Sequence, residues 1–172
     1  MAAYMRQCLT DPEGGYYTSS SSQFGRQGDF VTSPDISQVF GELVGVWIVA
    51  EWMAQGSPNG VELLEVGPGK GTLMSDILRT IQNFKSLTGR LERIYLVEAS
   101  PKLRETQREL LCGSAAMRKH DIGWAAKSRY GPEIIWCEDI RFVPRGKACV
   151  PWLGNVLTPL SRSVQGAFHH RA

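Results

Sequence analysis

The stretch Glu62-Leu63-Leu64-Glu65-Val66-Gly67-Pro68-Gly69-Lys70-Gly71-Thr72-Leu73, ELLEVGPGKGTL, sets three alternating glycines directly behind an apolar run. The run VELLEVG has the length and apolar content of a strand buried on both faces of a parallel sheet. Behind the glycines, TLMSDILRTIQNF places Leu73, Ile77, Ile81 and Phe84 on one face of a predicted helix. RIYLVEAS then reads as a second strand. SPKLRETQRELLCG reads as a second helix, opened by Ser100 and Pro101 and closed by Gly113. After a polar insert, EIIWCEDI is a third strand. Strand, helix, strand, helix, strand is the grammar of an α/β fold with right-handed crossovers.

Upstream, SPDISQVFGELVGVWIVAEWMAQG predicts a further helix. Ser33 serves as N-cap, Pro34 fits the first helical position, and Asp35 suits the positive end of the dipole. Ile36, Val39, Phe40, Leu43, Val44, Trp47 and Ala50 recur at helical spacing as its expected core stripe, and Gly56 ends it. The Gly- and Ser-rich segment from Gly14 to Phe30 reads as a loop, either a surface connection or a flap over a ligand. At the other end, RGKACVPWLGNVLTPLSRSVQGAFHHRA has no acidic residue and shows neither strand alternation nor helical period. It is expected to be disordered. ACVPWLGNVL is its one candidate strand, and Pro151 counts against it.

A length of 172 residues suits one domain with its own core. Nineteen Lys plus Arg against 17 Asp plus Glu leave a net charge of +2, which gives no reason to expect nucleic acid or an anionic membrane as partner. The longest apolar run, Leu43 to Ala50, falls far short of the roughly 20 residues that cross a bilayer. Cys8, Cys112, Cys137 and Cys149 form no C-x-x-C pair, and His169-His170 complete no ligand set, so no metal site is expected. Scattered reduced thiols fit an intracellular compartment. The opening MAAYMRQCLTDPEGGYY carries no apolar signal segment, and no transit segment is visible.

The glycine loop admits three ligands in principle. A phosphate-cradling P-loop needs glycine six residues before its lysine, and position 64 is Leu64. A dinucleotide fingerprint needs its third glycine at position 72, which is Thr72, so nicotinamide or flavin is a minor alternative. A nucleoside without pyrophosphate suits the loop better, because glycines at 67 and 69 let the backbone turn sharply and approach closely. A carboxylate at the next strand end can then grip ribose hydroxyls, and Glu98 stands at that place. Glu65, inside the buried strand, is expected to accept hydrogen bonds near the ligand's amino group or from neighbouring backbone.

LLEVGPGKGTL and YLVEAS resemble the first two motifs of class I S-adenosylmethionine-dependent methyltransferases. YMRQCLTDPEGGYY, GDFVTSPDISQVFGELVGVWIVAEWM and IIWCEDIRFVPRG extend the likeness to the MidA-like family of mitochondrial protein arginine methyltransferases, which assist respiratory complex I assembly. The resemblance runs from about Ala3 to Lys147. It implies an incomplete class I (Rossmann-like) open parallel sheet with helices on both faces and an N-terminal helical and loop extension. It divides the chain into an extension (1–56), a partial cofactor domain (57–147) and an atypical tail (148–172). It implies S-adenosyl-L-methionine as cofactor, with Gly67, Gly69 and Gly71 as its loop and Glu98 on its ribose. Asp139 would hold the adenine amino group, and Gly28, Asp29, Thr32 and Ser33 would lie near the cofactor. Asp35 stands where that family has Glu, a change that keeps the charge. Plainer roles compete: Asp139 as the cap of the following turn, Ser33 as the cap of its helix.

The implied activity is arginine N-methylation of a protein, a complex I subunit, in mitochondria. A guanidinium nucleophile needs carboxylates that fix its planar fork. The family carries them in an acidic, aromatic segment that follows VP-x-G, and this sequence diverges there, so no catalytic residue is assigned and impaired transfer is expected. A non-catalytic cofactor- or partner-binding remnant and a small-molecule methyltransferase are the alternatives.

Overall fold

The computed structural model describes Tyr4, Cys8, residues 38–144 and, for the backbone alone, 149–153. Helix α1 (Gln38–Ala54) leads into β1 (Val61–Val66), α2 (Thr72–Ile81) and the single turn α3 (Lys85–Thr88). Then come β2 (Leu91–Val97), α4 (Pro101–Cys112), β3 (Arg118–His120), β4 (Gly123–Lys127) and β5 (Glu133–Cys137). A 3-10 turn (Ile140–Phe142) and β6 (Cys149–Leu153) complete the described chain.

The six strands form one sheet in the order β3-β4-β5-β2-β1-β6. β5, β2, β1 and β6 run parallel, while β3 and β4 add an antiparallel ribbon at the far edge. The α/β reading is correct for β1, α2, β2, α4 and β5. Ser100 caps α4 by accepting from Leu103 N, and Gly113, at φ 64°, closes it.

The structure corrects three expectations. The polar insert holds β3 and β4, joined by a turn at Asp121 and Ile122. Within the segment expected to be disordered, the candidate strand forms β6 in spite of Pro151, which pairs with Leu64 in parallel register, while residues 154–172 lie outside the described residues. β6 is the last strand in the sheet order, and an edge strand tolerates a residue with no N–H to donate. The third concerns α1. Its core face is Gly41, Val44, Gly45, Ile48, Val49 and Trp52, whereas Val39, Leu43 and Ala50 of the expected stripe are exposed. Two glycines rotate the buried face. A Cβ on Gly41 would stand 2.5 Å from the Asp76 Cβ, and one on Gly45 2.7 Å from the Thr80 Cβ. The helices α1 and α2 therefore cross with backbones nearly touching, and the contact follows the small residues rather than the largest ones.

Side chains alternate across β1. Val61 and Leu63 join the larger core with Ile77, Leu78, Ile81, Ile94, Leu96, Ile134 and Trp136, and all four helices contribute to it. Leu64 faces the opposite way, into a smaller cluster with Tyr95, Val97, Ala125, Ile135 and Cys137. Truncating any of the fully buried Ile or Leu residues to Ala is expected to cost about 2–5 kcal/mol.

Candidate functional site

The sheet order reverses at β1, which has β2 on one side and β6 on the other. In open α/β sheets the crevice beyond the carboxyl ends of the strands at such a point is where ligands sit. The glycine loop leaves β1 there, Glu98 follows β2, and Asp139 lies two residues past β5. Backbone bonds hold the three strand ends in line: Gly67 N donates to Val97 O at 3.0 Å, and Glu98 N donates to Cys137 O at 2.9 Å.

The three glycines divide their work. Gly67, Gly69 and Gly71 have φ of 69°, 56° and 84°, a region that side chains other than glycine's enter at a cost. Among the described residues, nothing lies within 4 Å of where a Cβ on Gly67 or Gly69 would stand, so no described side chain or backbone covers them on that side. A Cβ on Gly71 would instead stand 3.2 Å from the Gln107 Cγ, because α4 presses against the loop. Gly71 also precedes α2 and accepts from Ser75 N at 3.0 Å.

Glu98 is buried and already oriented. Its Oε1 accepts from Ser100 N at 2.9 Å, its Oε2 from Gln107 Nε2 at 3.3 Å, and its carbonyl from Arg104 Nη1 at 3.2 Å. Burial raises its pKa, against lowering by these hydrogen bonds and by Arg104. Glu65 is the opposite case. It is 2% exposed, and its Oε2 has no hydrogen-bond partner among the described residues. Desolvation alone pushes its carboxyl up to about 8. A buried carboxyl oxygen with no partner is costly and rare in a native fold.

Asp139 stands at the expected strand end, but its carboxylate grips Arg141. Oδ1 accepts from Arg141 N at 2.9 Å and Nε at 3.0 Å, and Oδ2 accepts from Nη2 at 2.7 Å. It thereby caps the 3-10 turn, as the plainer reading holds. Beside it, Glu138 is exposed and pairs with the buried Arg104 at 3.0 Å. Gly28, Asp29, Thr32 and Ser33 lie outside the described residues.

One functional position escaped the sequence reading. Gln107 is fully buried and bonds Gly69 O, Glu98 and Trp136. The available signal was its place on α4, four residues from Leu103 and four from Leu111, a polar residue set into an apolar stripe. The free thiols of Cys112 and Cys137 are buried and pushed up to about 11, which makes them inert at neutral pH. Among the described residues no group of three His, Cys, Asp or Glu is placed to hold a metal, and no helix is long and apolar enough to cross a membrane.

A glycine loop and a poised carboxylate beyond the carboxyl ends of two neighbouring parallel strands form a candidate site of the kind class I methyltransferases use for a nucleoside cofactor. Residues 43–153 match the family described as "Putative S-adenosyl-L-methionine-dependent methyltransferase", and the chain belongs to that family. Among curated relatives, the mitochondrial protein arginine methyltransferase NDUFAF7 of Danio rerio is 45% identical over 150 residues, covering 85% of this chain and 35% of its own length. The NDUFAF7 protein of Homo sapiens is 40% identical over 151 residues, covering 85% of this chain and 34% of its own. The chain thus spans about a third of the length of these relatives. A COG1565 superfamily member from Burkholderia thailandensis, solved with S-adenosyl-homocysteine bound, shares the fold at a TM-score of 0.54 and 22% identity, over 74% of this chain and 41% of that one.

Proposed function

We propose that the crevice beyond β1, β2 and β5 holds S-adenosyl-L-methionine, and that the chain is the cofactor-binding part of a protein arginine N-methyltransferase. The residues fit the cofactor on two counts: among the described residues, nothing stands within 4 Å of a Cβ on Gly67 or Gly69, and Oε2 of Glu65 has no hydrogen-bond partner. The orphaned Glu65 oxygen carries the reading, because the amino group of the cofactor's methionine part is a cation that would satisfy it. Glu98, its two oxygens steadied by Ser100 and Gln107, accepts from the ribose hydroxyls. Asp139 lies beside the adenine, sharing its carboxylate with Arg141. By the family resemblance, Gly28, Asp29, Thr32 and Ser33 belong with the cofactor-binding residues.

When bound, the cofactor supplies a methyl group already activated by its sulfonium. This chain's part is to bind it, orient it and hold water away. The acceptor is an arginine of a protein in mitochondria, a reading supported by the names of the relatives; that this protein is a complex I subunit rests on the family resemblance alone. A second reading, cofactor binding without turnover, draws on the site itself. Among the described residues the carboxylates at the strand ends are Glu65, Glu98, Glu138 and Asp139, each already assigned to the cofactor or to an arginine of this chain. None is left there to orient a guanidinium.

Calorimetric titration with S-adenosyl-homocysteine, followed by incubation of the chain with methyl-labelled cofactor and an arginine-containing peptide, tests both readings. Saturable binding with label transfer supports the enzyme, and binding without transfer supports the second reading. Absence of binding by a chain that melts cooperatively removes the cofactor from both.

A further inference from the structure

Gln107 sits at the middle of α4 with no exposed surface, and each polar atom of its side chain is used. Its Oε1 accepts from Trp136 Nε1 at 2.8 Å. Its Nε2 donates to Gly69 O at 2.7 Å and to Glu98 Oε2 at 3.3 Å. An indole N–H only donates, so Trp136 fixes which way the amide points. One NH2 group therefore ties the glycine loop, which leaves β1, to the carboxylate that ends β2. The Gly67 N–Val97 O bond joins the start of the loop to β2, but among the described residues no backbone bond reaches from Gly69 or beyond to Glu98.

We propose that Gln107 is the positioning residue of the cofactor site, setting the glycine loop and the Glu98 carboxylate at the spacing one nucleoside requires. The inference rests on the cofactor reading above. Ser100 N fixes one oxygen of Glu98 and Gln107 the other, so the carboxylate plane is held from the protein side. The Gln107 stem also backs Gly71, leaving no room for a side chain between α4 and the loop. A residue that only filled this volume would need no amide, and the bonds of this one reach both walls of the site.

Gln107→Glu is the isosteric test. The carboxyl introduced there still accepts from Trp136, but it donates to Gly69 O or Glu98 only while protonated. The charged groups around the position are Glu98, Arg104 on the Glu98 carbonyl with its partner Glu138, and Lys70 in the loop. Affinity for S-adenosyl-homocysteine is measured by calorimetry at pH 5.5 and pH 8 for wild type and variant, with a thermal melt of each. The ratio of variant to wild-type Kd is expected to stay within about threefold at pH 5.5 and to exceed about tenfold at pH 8, where two unprotonated carboxylates face each other. The same ratio at both pH values, in a variant that melts cooperatively, overturns the proposal.

Trp136→Phe provides a second reading should the first variant fail to fold. It leaves Gln107 in place and frees the amide to rotate, with an expected loss of about threefold in affinity. Unchanged affinity overturns the proposal. Wild-type protein that does not bind refutes the cofactor reading and takes this inference with it, an outcome distinct from binding that ignores position 107.

Discussion

Two neighbouring parallel strands end in a carboxylate, and the two ends are built for different partners. At the end of β1, Glu65 is buried, has an oxygen without a partner among the described residues, and is pushed by desolvation up to about 8. At the end of β2, Glu98 has both oxygens engaged by neutral donors and a guanidinium on its own carbonyl. Neutral donors steady a carboxylate without using up its charge, and leave it able to accept from hydroxyls. An orphan without donors gains most from a cation. The contrast supports the proposed placement, in which Glu98 takes the hydroxyl-bearing part of the ligand and Glu65 its ammonium.

The largest expected effect breaks the β2 side. Glu98→Ala should weaken S-adenosyl-homocysteine binding by about tenfold to a hundredfold, since charge-assisted hydrogen bonds contribute about 1.5–3 kcal/mol. Titration calorimetry reads it directly, and wild-type affinity in a folded variant would remove Glu98 from the site. Glu65→Gln comes next, at about tenfold, because the amide keeps the shape and loses the charge.

Glu65→Gln also has an opposite effect on stability. The folded-state value of Glu65 stands above its ordinary 4.5, so its stabilising proton is fully present below about pH 4.5 and is lost as pH rises through about 8. A neutral amide does not titrate, so wild-type Tm should fall relative to the variant's as pH rises from about 4.5 to about 8, and the difference should level off above that. Cofactor binding by wild type should release a proton near neutral pH. Calorimetry in two buffers of different ionisation enthalpy measures that release, which Glu65→Gln should abolish. Gly71→Ala acts on the seam between the two sides. With φ at 84° and Gln107 Cγ 3.2 Å from the new Cβ, it is expected to lower stability by about 1–2 kcal/mol and affinity by a few-fold.

The same pair shows where sequence was a sufficient guide. β1, α2, β2, α4 and β5 were legible because each is long enough to show its period and is bounded by Gly, Ser or Pro with one meaning. The position of Glu98 at a strand end followed from that alone. The edges were not legible. β3 has three residues and β4 five, too short for a period to emerge from a polar segment, and their place is fixed by pairing of β4 with β5 and of β3 with β4. β6 contradicts its own propensity at Pro151 and is held by its register with β1. The face of α1 was misread because apolar residues surround it, and Gly41 and Gly45, which carry no hydrophobic signal, choose the side. Gln107 was missed for a related reason. A buried amide is identified by what it bonds across three elements, and those partners are 38, 29 and 9 residues away in the chain.

Asp139 carries the smallest predicted effect and separates two roles that sequence left open. Its carboxylate accepts three hydrogen bonds from Arg141, so an adenine amino group would share an acceptor already in use. The pair is partly exposed, with Asp139 at 24% and Arg141 at 73%, so its contribution to stability is screened. Asp139→Asn should therefore cost only about threefold in affinity for S-adenosyl-homocysteine, the weakening of one shared hydrogen bond. The sharper measurement compares that ligand with its deaminated analogue, which has a carbonyl where adenine has an amino group. If Asp139 accepts from the amino group, wild type prefers the adenine ligand and the variant, which can turn an amide N–H toward the carbonyl, loses that preference. A preference unchanged by the substitution would confine Asp139 to capping the turn, and would leave Glu65 and Glu98 as the two carboxylates that hold the ligand.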